Sequence, residues 1–462
     1  MRFALIILTC LYTIAASAQF APGPFQRGFY TGGIANCGSG GAAPACMSAP
    51  LMNTATTAAS ASTSATYYQP LLAQGYQIPW SNNIAVGSPM PMAGTISHTQ
   101  CALNGASALT SGSYTVTLLK NQVATSIVCG PMTASATSSA SNALTDTTHT
   151  VSFNAGDILS WKSVPSSPSS GQAPAMGVEF TDNTPVGNEA PLCVTTSNTA
   201  EVFGDYYWNG GTATTSTEVT ASLKFPVAGT IDDLYINRSG ATAGQVSYTI
   251  YHNGSSTSLV ATTNGSTTTA SDTNPAHAIT IADGDTISVT PANVSGGSVS
   301  QMSACVRWQP TVAGQYVLGG SIGSGINSAG KRAAMLGGNT GNGTFTAGAS
   351  LSIPFAYGAG WCSSQCMTFT DFFSAATSAP TSLTFTVTDY TSSSGSSNLK
   401  QNITTTNGGT GSGAPTLCSC SVTVTNSASS TTFNAADMFD VVGNPASGTV
   451  SLEKWGMVVT VP

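Results

Sequence analysis

Residues 90–96 read Met-Pro-Met-Ala-Gly-Thr-Ile, and the same pattern returns in residues 225–231 as Phe-Pro-Val-Ala-Gly-Thr-Ile. A looser third copy, Ile-Pro-Phe-Ala, occupies residues 353–356. Because proline has no backbone N–H to donate, we expect each copy to lie at a strand start or at a sheet edge. The repetition predicts a chain built from three copies of one unit.

The same landmarks follow each copy in the same order. A strand-like segment ends in an Asn turn at Asn121 and again at Asn253, and a turn of small residues later carries Asp157, Asp285 or Asp437. Short runs of alternating apolar residues separate these turns, which is typical of antiparallel strands. The sequence therefore predicts an all-β fold of three tandem antiparallel β-sandwich domains of the jelly-roll type.

This order of motifs resembles the jelly-roll modules of phage tail and virion proteins and of secreted bacterial surface proteins. The resemblance rests on the Ala-Gly-Thr-Ile stretch, the Tyr-Thr strand ending in Lys120-Asn121, the Asp-Thr-Thr-His turn at residues 146–149 and the Ala-Gly-Asp turn at residues 155–157. It implies a binding or structural module and no particular reaction, because a fold does not fix a function.

The chain begins with the parts of a secretory signal peptide. Arg2 precedes an apolar stretch over residues 4–15, and Ala16-Ser17-Ala18 forms a small-residue cleavage site. We predict the following organisation: signal peptide 1–18; flexible N-terminal extension 19–70; sandwich units 71–182, 193–309 and 314–462, the last with a Gly-rich insert. The mature protein is therefore expected to be secreted, at the cell surface or extracellular, with no membrane span.

The composition excludes some classes of partner. Only 6% of the residues are charged and the net charge is −7, so the chain offers no basic surface for a nucleic acid backbone. Few ionisable groups also predict a stability that varies weakly with pH between about 4 and 9. A neutral surface opposes the packing of identical copies only weakly, which makes the chain itself the expected partner, as a homo-oligomer or polymer.

Ten cysteines remain after the signal peptide, and an even number in an exported chain favours disulfides. We predict that Cys101 pairs with Cys129, Cys37 with Cys46 and Cys193 with Cys305. Two more bonds are expected to join Cys362 and Cys366 to Cys418 and Cys420, in an order that the sequence leaves open. A zinc site in the last group is the alternative.

No catalytic, cofactor or metal site is predicted. Asp146 with His149, and Asp272 with His277, suit β-turns, although a carboxylate beside an imidazole is also the pattern of a general acid–base pair. Asp283 and Asp285 leave calcium open as an alternative to a turn. A Gly-x-Ser-x-Gly match at residues 319–323 lies in a Gly-rich insert, away from the strand-to-helix context that a nucleophile elbow requires.

Aromatic residues cluster near the starts of the first two units. They are Tyr76 and Trp80 in the first, and Tyr206, Tyr207 and Trp208 in the second. Aromatic faces on a β-sandwich can stack on sugar rings, and packing in the core or between units is the alternative. Surface glycans are therefore a second possible partner.

These observations favour a secreted, non-enzymatic structural or surface protein, which would be a self-assembling subunit of an extracellular filament, sheath or layer. The alternative is a carbohydrate-binding adhesin or a phage-like receptor-binding protein. The segment 20–30 carries four aromatic residues and one charge. We expect it to dock on an open sheet edge of a neighbouring copy, and the alternative is that it folds back on the first unit or stays disordered.

Overall fold

The computed structural model describes residues 48–54, 61–72, 81–104, 109–133, 144–184, 188–196, 223–225, 227–240, 244–293 and 302–322, followed by strand segments between residues 326 and 460. All of these belong to one compact unit, Ile34–Pro462. The described chain is antiparallel β-structure, as predicted, and its one helical element is a 3₁₀ turn at Pro275–His277. Within this part of the chain, no helix is long and apolar enough to span a membrane.

The first set of strands, called repeat 1 below, forms two sheets that pack face to face. Sheet 1a has the order β1-β10-β4-β7 with β8 also on β4, and sheet 1b has the order β2-β9-β5-β6 with β3 also on β9. The strands are β1 (Ser48–Thr54), β2 (Tyr67–Pro70), β3 (Ser88–Pro89), β4 (Gly94–Asn104), β5 (Ser113–Lys120), β6 (Val123–Met132), β7 (Leu144–Asp146), β8 (Val151–Phe153), β9 (Ile158–Ser166) and β10 (Ala173–Asp182).

Repeat 2 has the same strand order, except that its described strands include β12 as the counterpart of β3 and none as the counterpart of β2. Sheet 2a is β11-β19-β13-β16 with β17 also on β13, and sheet 2b is β12-β18-β14-β15. The strands are β11 (Ala190–Thr196), β12 (Leu223–Lys224), β13 (Gly229–Arg238), β14 (Val246–His252), β15 (Ser255–Thr263), β16 (Thr269–Asp272), β17 (Ile279–Ile281), β18 (Thr286–Asn293) and β19 (Met302–Pro310).

Repeat 3 follows the same order again. Sheet 3a is β20-β31-β24-β27 with β28 also on β24, sheet 3b is β22-β29-β25-β26 with β23 also on β29, and β21 pairs with β30. The strands are β20 (Gln315–Ile322), β21 (Ile326–Asn327), β22 (Arg332–Ala334), β23 (Ile353–Pro354), β24 (Met367–Ala376), β25 (Leu383–Tyr390), β26 (Ser397–Thr405), β27 (Thr416–Ser421), β28 (Thr432–Phe433), β29 (Met438–Pro445), β30 (Thr449–Val450) and β31 (Glu453–Thr460).

A bulge at one position gives a second, finer sign that the repeats are equivalent. The register between the two central strands of each a-sheet shifts near Glu179 in repeat 1, between Asp232 and Tyr235 in repeat 2, and between Phe369 and Asp371 in repeat 3. His98 and Asp233 occupy the bulge in the first two repeats with positive φ angles of 42° and 52°. Such bulges are inherited features of a fold rather than accidents, so their recurrence supports the repeat alignment.

The cores lie between the paired sheets. Alternating strands such as β5, whose residues switch regularly between buried and part-exposed, send every second side chain inward. The largest buried side chains include Trp161 and Tyr114 in repeat 1 and Trp308 and Tyr248 in repeat 2. Burying rings of this size supplies much of the hydrophobic driving force for a sandwich of short strands.

The N-terminal extension predicted over residues 19–70 is corrected in its last part. Residues 48–54 form β1, which pairs along its whole length with β10, and residues 67–70 form β2 at the edge of sheet 1b. Their composition gave no hint of this, because the partner strand of β1 lies more than a hundred residues further along the chain. Residues 19–47 lie outside the described residues. Strand β11 starts at Ala190, slightly before the predicted start of the second unit, and the other boundaries stay predictions.

Candidate functional site

A clasp of three polar side chains fixes the Asn turn of repeat 1. Asn121 adopts a left-handed φ of 51°, its Nδ2 donates to Asp157 Oδ1 over 2.7 Å, and its Oδ1 accepts from the Ile158 N–H over 2.9 Å. Asp157 Oδ2 accepts from the Asn154 N–H and lies 3.0 Å from Lys120 Nζ. Burial raises the pKa of Asp157, but these donors outweigh it and the pKa is lowered overall.

Repeat 2 builds the same clasp with one replacement. Asn253 Nδ2 donates to Asp285 Oδ1 over 2.7 Å, and its Oδ1 accepts from the Thr286 N–H over 2.8 Å. His252 Nε2 stands 2.7 Å from Asp285 Oδ2, in the place of Lys120. Asp285 thus serves a turn, and both of its oxygens already face protein donors, which leaves little for a calcium ion. Asp283 is exposed, and Asp437 lies outside the described residues.

A second recurring device, which we call the Asp–His bracket, closes one edge of the sandwich. In repeat 1, Asp146 accepts from the N–H groups of Thr148 and His149, and His149 Nδ1 lies 2.9 Å from its Oδ2. The Oδ2 atom of Asp146 also accepts a hydrogen bond from the Val128 N–H of β6, a strand of the opposite sheet. Asp272, His277 and the Val260 N–H of β15 repeat the arrangement in repeat 2.

The bracket matches the turn interpretation of these pairs. Burial raises the pKa of Asp146 and of Asp272, yet hydrogen bonds from the histidine and from backbone N–H groups lower both values overall. A carboxylate held ionised by several fixed donors stabilises a turn and staples two sheets together. It is poorly suited to exchange protons near neutral pH, as a general base would have to do.

All four histidines of the chain face a carboxylate. Besides the pairs already described, His98 Nδ1 lies 2.5 Å from Glu179 Oε2, across the bulge between β4 and β10. In repeat 2 the equivalent positions hold Asp233 and Arg307, so a cross-strand pair of an acidic and a basic residue recurs with the two residue types exchanged. Among the described residues, no group of three or more His, Cys, Asp or Glu side chains is arranged to hold a metal ion.

A largely buried charged cluster, which the sequence did not predict, surrounds the part-buried Arg307 where repeat 1 passes into repeat 2. Its guanidinium bonds to both oxygens of Asp232 and lies 3.3 Å from carboxylate oxygens of Glu189 and Asp233. Asp182, at the end of β10, accepts from the Glu189 N–H over 2.8 Å. Two features of the sequence could have pointed to this cluster. Arg307 lies inside an apolar strand, and Asp232 and Asp233 are adjacent in another strand.

The cluster holds four carboxyl groups around one guanidinium, and burial dominates its electrostatics. Burial raises the pKa of Glu189 to about 7, with Arg307 opposing the shift and Asp182 adding to it. Burial also raises the pKa of Asp182, while the surrounding carboxylates raise that of Arg307 despite its own burial. The cluster therefore carries a proton that can be released within the ordinary pH range.

Because the pKa of Glu189 is raised, we expect the stability of the fold to depend more strongly on pH than the composition predicts. A folded-state pKa near 7 against an ordinary value of 4.5 means that the folded protein holds the Glu189 proton more tightly than the unfolded chain. The stability that the Glu189 proton contributes is fully present below about pH 4.5 and is lost as pH rises through about 7. The loss amounts to up to about 3 kcal/mol. We expect wild type to unfold at a lower temperature at pH 8 than at pH 5, and Glu189→Gln to remove most of this difference.

Thermal unfolding followed at several pH values measures the effect. Asp283→Asn, which removes an exposed carboxyl group of the same repeat, is the matched control and should leave the pH dependence as in wild type. Equal unfolding temperatures for wild type at pH 5 and pH 8 would contradict the role assigned to Glu189.

Two of the predicted disulfides are present in the structure. Cys101 is bonded to Cys129, which joins sheet 1a to sheet 1b, and Cys193 is bonded to Cys305, which joins the neighbouring strands β11 and β19. Cys418 and Cys420 lie in β27, beside β24. The positions of Cys37, Cys46, Cys362 and Cys366 fall outside the described residues, so the remaining pairs stay predictions.

Of the other candidate site residues predicted from the sequence, some lie within the described part of the chain and some lie outside it. Ser321 of the Gly-x-Ser-x-Gly match lies within strand β20, paired with Lys454 of β31, so this serine is not on the strand-to-helix turn of a nucleophile elbow. The aromatic residues considered for glycan stacking, which are Tyr76, Trp80, Tyr206, Tyr207 and Trp208, all lie outside the described residues.

Comparison with known proteins gave no assignment. The chain matches no family model and no curated protein sequence.

Proposed function

We propose that this chain is a secreted, non-enzymatic structural or surface protein, a self-assembling subunit of an extracellular filament, sheath or layer. The observation that carries the proposal is the use made of its few ionisable groups. In a chain with only 6% charged residues, all four histidines are tied to carboxylates that hold turns, sheet edges and a bulge. Such pairs serve rigidity and durability.

Export is supported by the cysteine chemistry. Two disulfides, one of them closing a separation of 112 residues, are typical of proteins that fold and persist in an oxidising compartment. The apolar N-terminal segment and its small-residue cleavage site agree with this compartment. Together they support the proposal that the assembly lies outside the cell.

Assembly requires a surface that accepts another copy, and the open edge of sheet 1b is the candidate. Among the described strands, β6 is the last in sheet 1b, and Val123 and Val128 on it are 68% and 40% exposed. An edge strand with exposed β-branched residues is a template for a strand from a neighbouring molecule. The bracket from Asp146 occupies one β6 N–H group, at Val128, which restricts where such a strand could pair.

Negative-stain microscopy of the purified mature protein tests the proposal. We expect ordered filaments or sheets from wild type, and we expect Val123→Lys to shift the protein towards single particles because a lysine on an edge strand opposes strand addition. Val312→Lys is the matched control, since Val312 is 56% exposed but lies between β19 and β20 rather than on an edge strand.

Single particles from wild type under all conditions would refute the structural proposal. In that case the alternative function, a carbohydrate-binding adhesin or receptor-binding protein, is tested by binding to a glycan array. Loss of binding in Trp80→Ala or Trp208→Ala would support it.

A further inference from the structure

Two turns of repeat 2 contain the same three residues, Asn-Gly-Ser. Asn253-Gly254 lies between β14 and β15, and Asn264-Gly265 lies between β15 and β16. All four of these residues are exposed. An asparagine before glycine is prone to lose its side-chain amide, because a glycine without a side chain lets its backbone nitrogen approach the asparagine Cγ. The two turns therefore offer the same local chemistry and similar access to water.

Loss of the amide needs only water as a co-reactant. The backbone nitrogen of the glycine bonds to Cγ of the asparagine, and the side-chain nitrogen leaves as ammonia with the proton that the glycine nitrogen gives up. Water then opens the cyclic imide at one of its two carbonyl groups, which gives aspartate or isoaspartate. The attack requires the asparagine side chain to turn until Cγ faces the next nitrogen, so a side chain held elsewhere reacts slowly.

The clasp of repeat 2 holds Asn253 at three atoms. Its backbone N–H donates to the Thr286 carbonyl oxygen over 2.9 Å, its Oδ1 accepts from the Thr286 N–H over 2.8 Å, and its Nδ2 donates to Asp285 Oδ1 over 2.7 Å. Burial raises the pKa of Asp285, but hydrogen bonds from Asn253 and from the Ala282 N–H outweigh it, so the acceptor is ionised at neutral pH. These bonds oppose the rotation that the reaction requires.

The side chain of Asn264 meets neutral hydroxyl groups instead of a carboxylate. Thr267 Oγ1 lies 3.1 Å and Ser266 Oγ lies 3.4 Å from Asn264 Oδ1. The Thr267 N–H donates to the Asn264 carbonyl oxygen over 3.0 Å, which closes a four-residue turn. Hydroxyl groups that donate to Oδ1 stabilise the negative charge that develops on this oxygen when Cγ is attacked. The contacts of Asn264 therefore favour the reaction that the contacts of Asn253 oppose.

We infer that Asn264 is a site of spontaneous deamidation and that the clasp protects Asn253 from the same reaction. The inference goes beyond the proposed function and does not depend on it, since the reaction needs only a turn, a side chain and water. It gives the clasp a chemical role besides its structural one. A carboxylate at position 253 would face the carboxylate of Asp285 and repel it, whereas a carboxylate at position 264 would be exposed.

Mass spectrometry of wild type aged in mildly alkaline buffer tests the inference. No Lys or Arg lies between Arg238 and Arg307, so one tryptic peptide, residues 239–307, contains both asparagines, and its fragmentation assigns each change in mass to a residue. We expect Asn264 to deamidate about 10–100-fold faster than Asn253, the factor that one hydrogen bond to a charged group supplies. Wild type aged in denaturant is the reference, and there the two identical Asn-Gly-Ser sequences should react at equal rates.

Asp285→Ala tests the protection itself. The change removes the acceptor of Asn253 Nδ2, so deamidation at Asn253 should rise towards the rate at Asn264. Asp283→Ala is the matched control, because it removes an exposed carboxyl group of the same turn and should leave both rates as in wild type. Circular dichroism of each variant shows whether the sheets remain folded during ageing.

Gly265→Pro tests the reaction at the other turn. Proline has no backbone N–H to lose and is favoured at the second position of four-residue turns, so Asn264 should keep its amide in this variant. Equal rates at Asn253 and Asn264 in folded wild type would overturn the inference. So would an Asn253 rate that stays unchanged in folded Asp285→Ala, or loss of the Asn264 amide at the wild-type rate in Gly265→Pro.

Discussion

Replacing Arg307 with Met should destabilise the protein by about 3–5 kcal/mol at pH 8, because the change leaves buried carboxylates without their cation. Arg307 is paired with Asp232, Glu189 and Asp233. The loss should shrink at pH 5, where Glu189, whose pKa is about 7, takes up a proton. Chemical denaturation at the two pH values measures both effects.

Lys120→Met provides the matched control for this experiment. Lys120 is paired with Asp157 over 3.0 Å, but the lysine side chain is about one third exposed, and exposed ion pairs contribute only about 0–1 kcal/mol. Adding Glu189→Gln to the Arg307→Met variant should recover part of the lost stability, because it removes one of the unpaired carboxylates. An Arg307→Met variant no less stable than Lys120→Met at pH 8 would contradict the buried cluster.

Removing the disulfide between Cys193 and Cys305 should cost about 4–5 kcal/mol, the largest loss that we expect from any single crosslink described here. Its ends are 112 residues apart, so it restricts the unfolded chain more than the bond between Cys101 and Cys129, whose ends are 28 residues apart. The chain-entropy argument gives about 3–4 kcal/mol for the shorter loop.

Denaturant unfolding of Cys193→Ala/Cys305→Ala and of Cys101→Ala/Cys129→Ala compares the two bonds. Both variants remove a buried pair of sulfurs, so the loss of packing is similar and the loop length is the main difference. A larger loss from the shorter loop would mean that local strain or packing outweighs the entropy of the unfolded chain.

Local pattern was enough to predict the β-sandwich class and its turns. Alternating runs and Asn or Asp turns report on neighbouring residues, and the Asn–Asp clasps at Asn121 and Asn253 lie where the repeated motifs placed them. The pairing of Cys101 with Cys129 and of Cys193 with Cys305 was also predicted and is confirmed. The turns depend on local contacts that recur in repeats 1 and 2, so a sequence compared with itself contains them.

The sequence did not predict most of the contacts between segments that lie far apart in the chain. Residues 48–54 were predicted to be part of a flexible extension, because no local pattern in the sequence marks them as the partner of β10. The charged cluster shows the same limit, since Glu189, Asp232 and Arg307 come from three separated segments and each is unremarkable alone. The weak pH dependence expected from composition stays a prediction, and the raised pKa of Glu189 argues against it, because a count of ionisable groups contains no information on their burial.

The sequence by itself determined the all-β class, the recurrence of one unit and the chemistry of its turns, because period-two alternation and turn residues act over a few neighbouring positions. Only the tertiary structure decided which strand covers which edge, how β3 and β23 dock on the next sheet, and which carboxylates surround Arg307. Those choices depend on packing between segments far apart in the chain, where burial sets both the strength of a contact and the pKa of a group.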